Sequence, residues 1–168
     1  MELQEINLKL KETRDELLAI LSGLSGDQLT RRKDSHSWSI SQVCQHLSKT
    51  EELYVVAIKR GLKSKEDSFI ENKRLEFLLD RSKKLEAPDI AKPTDDIFEY
   101  QEIIEKLNHS REQLHELLNT LEDPSVLSRR YFIHPVFKEM LLIDWVKSLY
   151  LHEQRHIKQI NEMIEGFK

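Results

Sequence analysis

His152 and His156 stand one helical turn apart, so on an α-helix both imidazoles face the same side. Leu149 and Ile160 continue that side as an apolar stripe, which places the pair in a protein interior. Two imidazoles there need partners, because a buried polar group left unsatisfied costs roughly 1–3 kcal/mol. One shared divalent ion satisfies both. His46 falls on a second apolar stripe, between Val43 and Leu53, and offers a third nitrogen. Three nitrogen ligands leave positions open for water or substrate, as in catalytic rather than structural sites. The ion expected is one divalent transition metal: zinc or nickel first, with iron, manganese or copper as alternatives. The competing reading is three core histidines, each hydrogen-bonded separately.

The residues from His152 to His156 also spell the His-Glu-x-x-His motif of zinc proteases. Such enzymes usually take a third ligand downstream, and only 12 residues follow His156. Glu162, six positions on, lies far round the helix. Glu153 sits about 100° from His152 around the axis. It reads as a helix-surface charge near Arg155, or as a catalytic base if it stands beside a metal-activated water. Gln42, one turn before His46, and Gln159, three residues after His156, are candidate substrate-binding amides. Gln42 is equally explained by helix capping, and Gln159 by orienting an imidazole or by a surface position. Cys44 is two residues from His46 and faces another way, so the pair makes no nucleophile; a core or surface thiol is expected. Trp38, Trp145 and Tyr100 read as core, and His36, His109 and His115 as exposed. His134, before Pro135, reads as a loop residue with a structural hydrogen bond.

Four amphipathic helices must position these groups. The first carries Leu3, Ile6, Leu10, Thr13, Leu17, Ile20 and Leu24 and stops at Gly23 and Gly26. A polar connection from Ser25 to Ser37 follows. The second starts with a capping box, Ser39 and Gln42, with Trp38 as a hydrophobic staple on Val43, and ends near Gly61. Between Leu62 and Pro93 the pattern weakens, with a shorter helix expected around Leu75, Leu78 and Leu79 inside a long crossover. The third long helix is expected from Thr94 as N-cap, its stripe running Ile97, Tyr100, Ile104, Leu107, Leu114, Leu118 and Leu121. The last is expected from about Glu139 to Glu165. The fold expected is all-α, a four-helix bundle with one long crossover, as a single domain over residues 1–168.

Composition agrees with this. The chain has 168 residues, 39% hydrophobic and 33% charged, with only four Gly and four Pro, which favours long helices over many short strands. A formal net charge of −4 gives no general support for nucleic-acid binding. The run Arg31-Arg32-Lys33 reads as a solvated loop. No apolar stretch suits a membrane span, the acidic N-terminus is unlike a signal peptide, and a single cysteine excludes an internal disulfide. A cytoplasmic location is expected, with neither membrane nor nucleic acid as partner.

Three pieces of the chain resemble the DinB-like (YfiT-like) helical bundle family. They are Trp38-Ser39-Ile40 leading to His46-Leu47; Ala87-Pro88 followed by Pro93; and His134-Pro135-Val136-Phe137 leading to Trp145, His152, Arg155-His156 and Gln159. They occur in the family's order and span about residues 37–160. The family often has Gly after the His-Pro-x-Phe stretch, where this chain has Lys138. The resemblance implies an up-down four-helix bundle with a three-histidine metal site open to a pocket, with His46, His152 and His156 as ligands, and a homodimer. It also implies kinship with transferases that use bacillithiol or mycothiol. The leading functional expectation is therefore a metal-dependent S-transferase activating a small thiol for attack on an electrophile. The alternatives are a metal-dependent hydrolase and a non-enzymatic metal- or ligand-binding stress-response protein.

Overall fold

The computed structural model describes residues 2–168. Four long helices form the bundle: α1 (Leu3–Ser22), α3 (Ile40–Leu62), α4 (Tyr100–Asn119) and α5 (Leu142–Gly166). A short helix, α2 (Gly26–Thr30), interrupts the connection after α1. Residues 63–99 form the long crossover, and a two-stranded antiparallel hairpin, β1 (Tyr131–His134) with β2 (Lys138–Leu141), precedes α5.

Most of the stripe residues read from the sequence become the core; Tyr100, expected there, is instead 39% exposed at the first turn of α4. Ile6, Leu10, Leu17 and Leu21 of α1 are fully buried, as are Ile40, Val43 and Ile58 of α3, Leu107 and Leu114 of α4, and Leu142, Val146 and Ile160 of α5. The start of α3 is as expected. The Ser39 hydroxyl accepts from the Gln42 amide at 3.1 Å, and Gln42 Oε1 accepts from the Ser39 amide at 2.9 Å. Ser25 and Gln28 make a second capping box that starts α2, within the segment read as a polar connection.

Three elements differ from expectation. The third long helix begins at Tyr100, with Glu99 as N-cap, and Thr94 is not its cap. Side chains from α3 capture Thr94 instead: Gln45 Oε1 accepts from its amide at 3.0 Å, and Gln42 Nε2 donates to its carbonyl at 3.1 Å. With its backbone groups taken, Thr94 has no role to play in a helix, and Ile97 is left 77% exposed. In the crossover, only a 3-10 turn forms at Glu76–Leu79, although Leu75 and Leu78 are buried as expected. The hairpin occupies residues 131–141, so α5 starts at Leu142 rather than near Glu139. His134 pairs with Lys138 across three loop residues, and its Nδ1 accepts from the amides of Val136 and Phe137 at 3.0 and 3.2 Å.

Lys138 has φ 63°, the single positive φ of a non-glycine residue among the described residues. A three-residue hairpin loop needs a left-handed residue at this position, which glycine adopts without penalty. The chain therefore keeps the loop geometry that glycine favours while carrying a lysine. The hairpin must also lie close to the end of α3. A Cβ at Gly61 would stand 2.5 Å from Leu142 Cδ2 and 3.0 Å from the Tyr131 carbonyl oxygen.

Replacing Lys138 with glycine removes a left-handed β-carbon penalty of about 1 kcal/mol. We expect Lys138→Gly to raise stability by roughly that amount, less the entropy glycine loses on folding. Urea midpoints against wild type check this; a drop of more than about 0.5 kcal/mol contradicts the account of the loop.

Candidate metal centre

α3 supplies His46, and α5 supplies His152 and His156 one turn apart. Their ring nitrogens converge, with one ligand atom from each lying within 4.8 Å of the others. His46 Nε2 is 3.0 Å from His152 Nε2, which is 3.1 Å from His156 Nε2. His46 and His156 are buried, and His152 is partly exposed. Adjacent nitrogens on a tetrahedral centre with bonds of about 2.0–2.1 Å would lie about 3.3 Å apart, close to these separations.

The outer ring nitrogens fix the tautomers. His46 Nδ1 is 2.7 Å from the Ala91 carbonyl, an acceptor only, so this nitrogen carries the proton. His156 Nδ1 is 2.7 Å from Gln159 Oε1 and donates there. Both Nε2 atoms therefore present bare lone pairs toward His152 Nε2. A neutral His152 has at most one proton there, which can serve only one of them. The set lacks a positive centre, which a shared cation provides, and the carbonyl and amide partners are the usual outer support of metal-ligating imidazoles. Burial lowers the pKa of all three: His46 below its ordinary value, His156 to about 3, and His152 well down. In neutral solution they are uncharged, the form that ligates.

The triad opens into a cavity of about 1380 Å³ between α3, α5, the crossover and the hairpin. Gln159 lines it and orients His156. Trp38 packs against His46 with ring centroids 5.1 Å apart. Trp145 lines the cavity as well, its ring 4.8 Å from that of Tyr54. Gln42 is not part of this wall: its amide is spent on the Ser39 cap and on Thr94. Cys44 is a core thiol, 1% exposed, with burial pushing its pKa up to about 12. His36, His109 and His115 are exposed.

Glu153 is neither a surface charge nor a partner of the triad. It is 2% exposed; Oε1 accepts from Arg14 Nε at 2.6 Å and Oε2 from an Arg111 terminal nitrogen at 3.1 Å. Glu51 completes a ring, accepting from Arg111 Nε at 2.8 Å and lying 3.5 Å from Arg14. Both carboxylate oxygens are taken by guanidinium groups on the bundle side, away from the triad, which removes the ground for assigning Glu153 as a base. Arg14, Glu51 and Arg111 had not been singled out in the sequence. The signal was there: each member of the ring follows a buried leucine by one turn, at Leu10, Leu47, Leu107 and Leu149.

Two further groups in the cavity wall were underrated. Arg155, 4% exposed, donates to the carbonyls of Leu78, Asp80 and Lys83 at 3.0, 2.8 and 2.6 Å, pinning the crossover over the site. His134 makes the structural hydrogen bonds expected of it and a further one. With Nδ1 accepting from two amides, Nε2 carries the proton and donates to Tyr54 Oη at 2.9 Å. Burial lowers His134 to about 4 and raises Tyr54 to about 12.

Residues 9–160 match the sequence pattern of the DinB superfamily. A Bacillus subtilis (strain 168) protein, YuaE, is 32% identical over 154 residues, covering 92% of this chain and 94% of its own length. The crystal structure of TT2238, a four-helix bundle protein, superposes with a TM-score of 0.61 at 20% identity, over 95% of this chain and 98% of that one. At that identity the likeness speaks to the fold alone.

Two outcomes follow for the buried groups. Glu153→Gln leaves two buried guanidinium groups short of a counter-charge, so stability should fall by about 3–5 kcal/mol, while the folded protein retains its metal. Urea melts with metal analysis of the folded fraction check both; full stability would show that the ring is not structural. Burial lowers the pKa of His134 to about 4 in the folded chain, against about 6.5 unfolded, so its contribution to stability is fully present above about pH 6.5. As pH falls toward 4, the unfolded chain takes up the proton first and that stability is lost. In metal-stripped protein, His134→Gln should flatten the decline in urea midpoint between pH 7 and 5; an unchanged slope removes His134 from the account.

Proposed function

The chain belongs to the DinB superfamily, and from that premise we propose that it is a metal-dependent S-transferase that activates a small thiol for attack on an electrophile. The observation that carries this reading is a set of three neutral imidazoles open to a large cavity with no free carboxylate beside them. His46, His152 and His156 would hold a divalent transition metal, which would supply the Lewis acidity that lowers the pKa of a small thiol toward neutrality. Zinc and nickel are among the ions that suit an all-imidazole donor set.

The chain's own residues have narrower tasks. Ala91 and Gln159 hold His46 and His156 in the tautomers that leave Nε2 unprotonated. Trp38 and Trp145 give the cavity apolar walls against which an electrophile can rest. Arg155 holds the crossover across one side of the site, which limits the water reaching it. No protein thiol is required, in keeping with the inert Cys44. Hydrolysis fits less well, because it calls for a base near the attacking water. Glu153 is bound to Arg14 and Arg111, and the cavity's own carboxylates, Glu86 and Glu162, pair with Lys92 and Arg81.

The test is metal analysis and turnover on one preparation. Untagged wild type should hold about one equivalent of metal, and His152→Ala should lose most of it. With a thiol panel and monochlorobimane, the loaded protein should conjugate faster than the chelated protein by at least about tenfold. Retention of metal by His152→Ala overturns the site. Conjugation no faster than the chelated control overturns the reaction.

A further inference from the structure

We propose that residues 84–91 of the crossover form a lid over the cavity, latched shut through His46 when a metal occupies the histidine triad. This rests on the reading of His46, His152 and His156 as ligands of one divalent metal, and not on the reaction carried out there.

The crossover is fastened unevenly. Up to Lys83 it is pinned to α5: Arg155 takes the carbonyls of Leu78, Asp80 and Lys83, and Lys158 Nζ donates to that of Leu79 at 3.2 Å. From Lys92 onward it is pinned to α3, through Lys49 on the Lys92 carbonyl at 2.9 Å and through Gln42 and Gln45 on Thr94. Residues 84–91 span the gap. Among the described residues, a single hydrogen bond joins this span to the helices, from His46 Nδ1 to the Ala91 carbonyl at 2.7 Å. Its hold on the core is as thin. Ala91 is 4% exposed, whereas Leu85 and Ile90 are 44% and 71% exposed. A segment with few buried contacts and one tie opens more readily than its surroundings. Leu85, Ala87, Pro88, Ile90 and Ala91 also line the cavity together with the triad, so opening this span unroofs the site.

The tie depends on what His46 Nε2 holds. A neutral imidazole carries one ring proton, which can sit on either nitrogen. With Nε2 bound to a metal, the proton is confined to Nδ1 and the N–H donates to Ala91, the kind of outer partner that orients a ligating imidazole. Without a metal, His152 Nε2, 3.0 Å from His46 Nε2, competes with the Ala91 carbonyl for the same proton. Whenever the proton sits on Nε2, Nδ1 is a bare acceptor facing a carbonyl oxygen, and the tie is lost. His156 has no such reach, because its Nδ1 meets Gln159 of its own helix. Metal binding and closure of the lid are therefore linked, each favouring the other by the same factor.

Hydrogen–deuterium exchange of zinc-loaded and chelated protein tests this, with bound zinc measured on the same samples. The reporters are the amides of Ala91 and Lys92, which donate to the carbonyls of Pro88 and Asp89 at 2.9 and 3.1 Å. Zinc should slow their exchange by about tenfold, while the amides of Leu78 and Asp80, in the part that Arg155 holds, change by less than about twofold. His46→Asn keeps a side-chain N–H in the region of Nδ1 and gives up the metal-ligating nitrogen, so its lid should exchange equally with and without zinc. His152→Ala should exchange like chelated wild type whether or not zinc is added. Equal exchange of Ala91 and Lys92 with and without bound zinc in wild type overturns the proposal. So does slowing that extends equally to Leu78 and Asp80, or zinc protection of the lid that survives in His46→Asn. Loss of helical circular dichroism on chelation overturns it as well, since the metal would then hold the bundle rather than the lid. None of these readouts needs turnover. A protein that takes up no zinc sinks the metal centre and this inference with it, whereas bound zinc with an indifferent lid sinks this inference alone.

Discussion

The bundle depends on a closed ring of four buried charges, one from each long helix: Arg14 of α1, Glu51 of α3, Arg111 of α4 and Glu153 of α5. The ring is neutral overall, and its spare donors are satisfied. Arg14 and Arg111 each donate to a backbone carbonyl, of Leu107 and Leu10, and Ser110 donates to Glu51. Buried ion pairs of this kind add little net stability compared with a well-packed apolar core, because desolvation offsets the attraction. Their effect is on specificity. A rotation of any one helix would strand a charge in an apolar interior, so a single rotational register of the four helices satisfies all four groups. That register brings His46 of α3 to His152 and His156 of α5. The link is local as well: His152 and the four ring residues line one small cavity of about 10 Å³.

The crossover has almost no regular structure of its own, so side chains from the bundle must hold it. Arg155 takes three of its carbonyls, Lys49 donates to the Lys92 carbonyl at 2.9 Å, and Gln42 and Gln45 take Thr94. His46 itself is a further anchor, through Ala91. The same hydrogen bond that seats the crossover selects the His46 tautomer with a free Nε2. The position of the cavity roof and the readiness of the site are therefore set together.

The parts of this arrangement that follow from helical periodicity were legible in the sequence. The stripes, the Ser39–Gln42 cap and the shared face of His152 and His156 all depend on residues a few positions apart. His46 was legible because it interrupts an apolar stripe, and the ring could have been found by the same rule, since each member falls one turn after a buried leucine. What was hidden depends on contacts distant in sequence. Thr94 is a good N-cap by its local chemistry, but amides some fifty positions earlier claim its backbone first. The hairpin was obscured by its shortness and by Lys138, which stands where a glycine would have announced the turn. Arg31-Arg32-Lys33 looks like any solvated run, because nothing near it in the chain shows that it lines the cavity.

The five residues from His152 to His156 show why a motif's spelling does not settle its chemistry. Successive side chains on a helix are about 100° apart, so these five face different surroundings. His152 and His156 share one face and meet His46. Glu153 turns into the charge ring, Gln154 reaches Thr13 of α1, and Arg155 holds the crossover. In a zinc protease the glutamate of this motif is the general base. Here two guanidinium groups occupy both carboxylate oxygens on the bundle side. The spacing that allows two imidazoles to share a ligand is kept, while the glutamate serves the fold. The face of α5 that looks into the cavity is thereby left to the two imidazoles, and the carboxylate that the motif would offer as a base is turned away from it.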